Sequence, residues 1–215
     1  MKQLALQGVT STEKRYGKTP FQLAFVRSCR IDAGLEPSET MDALSGGLKS
    51  CPEALLDVLY ETGHVNIEQR IDNPEETVQK WEVPIHAAAR YGCLTKLKWL
   101  FDRTVSVDSR NSSRQTPLML ACHAGHLDVI GYLIERGAAV NLVDDQGQTA
   151  LHYAAMNDTK STLELLIGCG ANKRCKSKHG KLPVDICIEE GSSFSAEYLS
   201  RCALRPSRPV FSHCI

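Results

Sequence analysis

Three stretches of the chain hold residue types that do chemistry in other proteins. Cys122, His123 and His126 stand close together, with Cys169 and Cys175 further on, and thiol and imidazole groups at short spacing are what a zinc ion takes as ligands. Zinc sites draw four such ligands in paired spacings. The helical register of this stretch turns Cys122 toward a packing seam while His126 opens the next helix, so the two point apart. Ser45-Gly46-Gly47-Leu48-Lys49-Ser50 has the flavour of a phosphate-cradling loop. The pattern G-x-x-x-x-G-K-[ST] requires glycine where Leu48 and Ala43 stand, and no strand precedes it. No nucleophile, base and orienting group can be assembled from the remaining residues. The chain is therefore read as a non-enzyme with no catalytic residue, no cofactor and no metal.

The bulk properties agree with that reading. Across 215 residues, 25 basic and 25 acidic side chains cancel, so nothing draws the whole chain toward nucleic acid or a charged membrane surface. Nine scattered cysteines are an odd set, the mark of reduced thiols rather than a disulfide framework. No apolar run suits a signal peptide or a membrane span. The expected address is cytoplasmic, nuclear or both. The run from Lys173 to Lys181 is the strongest charge feature, fit for an acidic partner or part of a nuclear-import signal. With no aromatic residues interleaved, nucleic acid is a disfavoured partner.

The elements that must position any site come from a repeat. Thr116-Pro117-Leu118, with Ala121 and Gly125 behind it, returns at a spacing of 33 residues. Pro84 opens Pro84-Ile85-His86-Ala87-Ala88, Ala150 opens Ala150-Leu151-His152-Tyr153-Ala154, and Pro183 opens the last copy. A fixed period of this kind decides an architecture before any local reading does. Proline at a first helical position costs no hydrogen bond, and Thr116 and Thr149 can cap the helices they precede. Ala88, Ala121 and Ala154 are small enough for neighbouring helices to approach closely. Leu100, Leu133, Leu166 and Leu199 form one core stripe of a second helix in each copy. Gly92, Gly125 and Gly191 supply left-handed turns between the two helices, with Asp158 in that register in the remaining copy. Gly137 and Gly170 end two second helices, where Thr104 departs from the pattern.

This period and the Thr-Pro-Leu opening resemble the T-P-L-H-x-A pattern of the ankyrin repeat family. The resemblance implies an all-α solenoid of helix-turn-helix units joined by β-hairpin loops, with a concave binding face. Regular repeats are expected over 81–110, 111–143 and 144–176, closed by a cap over 177–203. Residues 1–80 read as divergent repeat material, with a repeat start at 17–24 and insertions at about 30–50 and 67–80. The tail 204–215 is expected to be disordered. His86 and His152 occupy the family's histidine position, where the ring orders the hairpin.

By the same resemblance, function sits on positions that the scaffold leaves free. On the first helices these are Arg90, Tyr91, His123, Met156 and Asn157; at the hairpins they are Gln115, Asp145, Gln146, Gln148, Lys178, His179 and Lys181. Tyr91 and Met156 are the expected anchors, since aromatic residues and Met are enriched at interface centres. The expected partner of this monomer is another protein, with no small-molecule substrate and no membrane. Asn141 closes Gly137-Ala138-Ala139-Val140-Asn141 and resembles sites of asparaginyl hydroxylation in such repeats; hydrogen bonding to the next hairpin is the competing role. Two rival functions stand beside an adaptor. One is the substrate-recognition part of a ubiquitin ligase, for which the chain after Ala203 looks too short. The other is a fragment of a larger ankyrin-containing enzyme, suggested by what reads as a mid-repeat start.

Overall fold

The computed structural model describes residues 25, 28–30, 32–34, 71–72, 81–82, 84–103, 105–157 and 159–203. The expected repeat start at 17–24, the loop at 45–50, Thr104, Asp158 and the tail 204–215 lie outside these residues, as do most of the two insertions. The chain packs as two units, Met1–Val105 and Ser106–Ile215.

In the first unit, β1 (Ile71–Asp72) and β2 (Trp81–Glu82) pair antiparallel, with Ile71 opposite Glu82. Helices α1 (Pro84–Arg90) and α2 (Leu94–Phe101) follow. Ile85, Ala88, Ala89, Leu97 and Leu100 are fully buried, together with Phe25 and Cys29 from a preceding helical stretch. Cys93 donates its thiol proton to the Cys29 carbonyl at 3.3 Å. Burial raises the Cys29 thiol well above its ordinary value. Lys96 is also fully buried, at a register that holds Val129, Thr162 and Ser195 in the later repeats, and pairs with Asp32.

The second unit stacks three helix pairs: α3 (Pro117–Ala124) with α4 (Leu127–Glu135), α5 (Ala150–Met156) with α6 (Lys160–Gly168), and α7 (Pro183–Glu189) with α8 (Ser193–Ala203). Each first helix begins at the expected Pro or Ala. The N–H of the residue before it is then taken by the side chain three positions on. Met119 Sδ accepts from Thr116 N–H at 3.4 Å, His152 Nδ1 from Thr149 N–H at 3.0 Å, and Asp185 Oδ2 from Leu182 N–H at 2.7 Å. A thioether, an imidazole and a carboxylate thus do one job at one register.

The core of this unit is the expected stripe. Ala121, Leu133, Ala154 and Leu166 are fully buried, and Leu199 is nearly so. Leu118, Ile130, Leu151 and Leu163 fill the layer between helices. At about 25 cal/mol per Å² of apolar surface removed from water, these side chains each supply roughly 1.5–3 kcal/mol before conformational entropy is counted. Gly125, at φ +78°, turns the chain from α3 to α4. A Cβ there would lie 2.4 Å from the side-chain amide nitrogen of Asn157, an exposed tip that can swing aside, so the left-handed dihedral is what calls for glycine. The described units are all-α apart from the single two-residue strand pair.

Candidate protein-binding surface

The loops between helix pairs turn back on themselves as hairpins, and a second set of residues at the repeat period holds them. Asn111, Asp144 and Ser177 are each nearly buried at the start of a hairpin. Asn111 Oδ1 accepts from the N–H groups of Ser113 (3.0 Å) and Gln115 (2.9 Å); Asp144 Oδ1 accepts from Gln146 and Gln148, both at 2.8 Å. Ser177 Oγ accepts from Lys181 N–H at 3.3 Å. Two backbone bonds close each turn: the N–H groups of Asn111, Asp144 and Ser177 donate to the carbonyls of Gln115 (3.1 Å), Gln148 (3.0 Å) and Lys181 (2.9 Å), and their own carbonyls accept from Arg114 (2.9 Å), Gly147 (3.1 Å) and Gly180 (2.9 Å). Short Asn, Asp and Ser side chains take the donors that a longer ladder would otherwise pair, so these loops need no extended strands.

Neighbouring hairpins are also joined. Asp145 N–H donates to the Ser113 carbonyl at 3.0 Å, and Lys178 N–H to the Gln146 carbonyl at 2.8 Å. Beneath them, Tyr153 O–H donates to Asp144 Oδ2 and accepts from Gln115 Nε2, both at 2.7 Å, while Gln115 Oε1 accepts from Asn111 Nδ2 at 2.9 Å. His152 extends this linkage. With Nδ1 accepting from Thr149, its Nε2–H donates to the Lys181 carbonyl at 3.3 Å, so the ring bridges one helix start to the following hairpin. Burial lowers its pKa, against a smaller opposing pull from that carbonyl, and the ring is held neutral.

The residues named from the sequence fall into three groups. Arg90 and Tyr91 close the first helix of the first unit and are half-buried. In the second unit, His123 and Asn157 are exposed at the ends of α3 and α5, and Met156 is half-buried beside Asn157. The His123 ring stands edge-on to Tyr153 at 5.9 Å between centroids. At the hairpin tips Gln146, Lys178 and His179 are exposed. Asp145 lies 3.9 Å from Arg114, and Lys181 pairs with Glu189 at 2.6 Å. Gln115 and Gln148 are half-buried, with the Gln115 amide committed at both ends to the Tyr153 network. Asn141 is exposed, yet its side chain donates to the Gly170 carbonyl at 3.0 Å and accepts from Asn172 N–H at 2.7 Å. Asp108 makes the matching link one repeat earlier, accepting from Ala139 N–H at 3.1 Å.

The clustered thiol and imidazoles of the sequence are separated by the fold. Cys122 is fully buried and its thiol is pushed far above the ordinary range by that burial, while His123 points outward and His126 precedes α4. What sequence reading overlooked is the hairpin set Asn111, Asp144 and Ser177. Its signal was present, since the three positions are 33 residues apart, but their letters differ.

Stacked helix pairs with closed, laterally bonded hairpins define a helical repeat protein whose chemistry is surface recognition. A family model for ankyrin repeats matches the chain three times, over residues 49–144, 85–177 and 133–207, and the chain belongs to the ankyrin repeat family. It is 33% identical over 98 residues to protein fem-1 homolog A-like of Mus musculus, a match covering 46% of this chain and 15% of the relative. It is 34% identical over 145 residues to the transient receptor potential cation channel subfamily A member 1 homolog of Caenorhabditis elegans, covering 67% and 12%. Ankyrin repeat and SOCS box protein 11 of Homo sapiens is 32% identical over 112 residues, covering 51% and 33%. The chain thus spans a third or less of the length of each of these relatives. Ankyrin repeats imply protein–protein interaction, and such repeats are generally non-catalytic. No helix among the described residues is long and apolar enough to cross a membrane.

Proposed function

We propose that this chain is a non-enzymatic adaptor, binding a partner protein through the hairpin tips and the ends of the first helices. One observation carries the reading: exposed side chains at Gln146, Lys178 and His179 stand on hairpins whose backbones are already fixed. A surface ordered before binding loses little conformational entropy on contact, which is how a modest interface gains affinity. Met156, with His123 and Asn157 beside it, supplies the apolar and aromatic part of that surface. The adaptor acts in the cytoplasm or nucleus under this reading.

The test is a pull-down with quantitative mass spectrometry, comparing the wild type with Met156→Glu and with Gln146→Ala combined with Lys178→Ala. Both variants should keep the circular dichroism of the wild type and lose the same partners. An unchanged partner set with folded protein removes this surface from consideration. A second reading, substrate recognition for a ubiquitin ligase, draws on the likeness to the ankyrin repeat and SOCS box protein. It is distinguished by whether ligase subunits co-purify with the wild type.

A further inference from the structure

Burial at equivalent positions changes abruptly in the last described repeat. Cys122 and Ala155 share one register and are fully buried; Ile188, in the same register, is 65% exposed. Leu118 and Leu151 are buried as well, while Val184 at their register is only partly covered. Ile188 and Val184 are four residues apart on α7 and so share a face. Leu182 is likewise half-buried where Thr116 and Thr149 are sealed. The last described repeat thus presents Leu, Val and Ile at positions that the two earlier repeats bury.

A cleft of about 340 Å³ opens on this end face. Leu182, Pro183, Val184 and Leu199 line its apolar part, and Lys173, Arg174 and Lys176 its basic part. Lys173 donates to the Cys202 carbonyl at 2.7 Å, which fixes one cation at the edge. Asp185 and Glu189, the acids of α7 nearest in sequence, are engaged by Leu182 N–H and by Lys181. The side chains of Arg174 and Lys176 make no ion pair among the described residues.

The register of Arg174 decides what fits here. At this position the two preceding repeats carry Asp108 and Asn141, whose oxygens accept a backbone N–H of the next repeat. Arg174 replaces that acceptor with a charged donor. A surface that offers N–H groups in place of oxygens, beside uncovered aliphatic side chains, complements carboxylates next to apolar side chains.

We propose that the end face of α7 and α8 is a second docking surface, which takes an acidic amphipathic segment of a partner protein. It goes beyond the inner-helix and hairpin-tip reading and uses none of the same residues. The cleft holds the apolar side chains of that segment while Arg174 and Lys176 meet its carboxylates.

The probe is a fluorescein-labelled peptide built from repeated Leu-Glu-Glu-Leu units, compared by anisotropy with sister peptides carrying Gln or Lys in place of Glu. The 215-residue chain should bind the Glu peptide about tenfold more tightly than the Gln peptide, with the preference fading as salt is raised. Arg174→Glu combined with Lys176→Glu should reverse the order in favour of the Lys peptide, and Val184→Gln should weaken all three. Met156→Glu, on the other surface, should bind the Glu peptide as the wild type does. Equal binding of the three peptides overturns the proposal, as does a charge-reversed protein that still prefers the Glu peptide. Other occupants have distinct outcomes that also overturn it. A concentration-dependent dimer dissolved by the charge reversal assigns the face to a second copy. Hydrogen-exchange protection of residues 204–215 that the reversal removes assigns it to the chain's own end. Binding to anionic lipid vesicles without peptide binding assigns it to a membrane surface.

Discussion

Replacing Gly147 with Ala probes the bond between neighbouring hairpins directly. Gly147 sits at φ +71°, and a Cβ there would lie 3.1 Å from the Lys178 backbone nitrogen and 3.4 Å from the Ser177 carbonyl carbon. Two costs add. A left-handed non-glycine residue costs about 1–2 kcal/mol. Pushing the next hairpin away weakens the 2.8 Å bond from Lys178 to Gln146, worth about 1 kcal/mol. The sum is about 2–3 kcal/mol, reduced by about 0.5 kcal/mol because alanine lowers the entropy of the unfolded chain.

The repeat supplies its own control. Gly180 occupies the same hairpin position one repeat on, at φ +75°, and a Cβ there meets nothing within 4 Å. Gly180→Ala should therefore cost only the dihedral part, about 1 kcal/mol after the entropy correction. The preceding copy of the position is Arg114, at φ +58°, the one positive-φ residue other than glycine among those described. Arg114→Gly should gain about 1 kcal/mol by the same two terms, and its exposed pairing with Asp145 contributes little. Urea denaturation followed by circular dichroism reads all three as midpoint shifts at constant slope. If Gly147→Ala is no more damaging than Gly180→Ala, the hairpins do not support one another and the ordered tips invoked for binding lose their basis.

Three further substitutions test the buried polar groups. Tyr153→Phe keeps the ring but leaves Asp144 Oδ2 without its donor, and should cost about 2–3 kcal/mol in the same urea assay. Asp32→Asn leaves the fully buried Lys96 without its countercharge. Because Asp32 is 36% exposed, the loss should lie near about 2–3 kcal/mol, and adding Lys96→Met should restore most of it. Lowered by burial, His152 takes its proton less readily in the folded than in the unfolded chain, so stability rises with pH in its window. Its contribution is complete above the ordinary histidine value of about 6.5 and falls away as the pH drops below that. Denaturation midpoints at pH 7.5 and 5.5 should differ in the wild type and differ less in His152→Gln.

The scaffold was legible because its letters repeat. Pro84, Pro117 and Pro183 open helices as their spacing requires, and Leu133, Leu166 and Leu199 fall into one buried stripe, since burial at fixed helical register admits few residue types. The polar framework was not, because several side chains satisfy one geometric demand. Any short acceptor can close a hairpin, so Asn111, Asp144 and Ser177 look unrelated in sequence. Any acceptor of suitable reach can meet the N–H before a helix, which hides Met119 and Asp185. Gln115, read as a partner residue from its hairpin position, is also held by Asn111 and Tyr153, which its letter alone did not show. Lys96 sits at a register where an apolar or small residue is expected, and only the fold brings Asp32 to it.

Rigidity at the hairpins has a consequence for how sequence and binding can vary in this protein. The groups that fix the backbone, Asn111, Asp144, Ser177 and Tyr153, are buried, whereas Gln146, Lys178 and His179 stand exposed on the same turns. Under the proposed function, changing an exposed tip residue should alter what the surface recognises without touching the bonds that order it. Stability changes at such positions should stay within about 0.5 kcal/mol. Changing a buried one loosens the tip and weakens every partner together, because the ordering cost is then met at the moment of binding. Partner choice and affinity are thereby separable: Gln146→Ala should redistribute partners at unchanged stability, while Tyr153→Phe should lower binding to all of them in proportion.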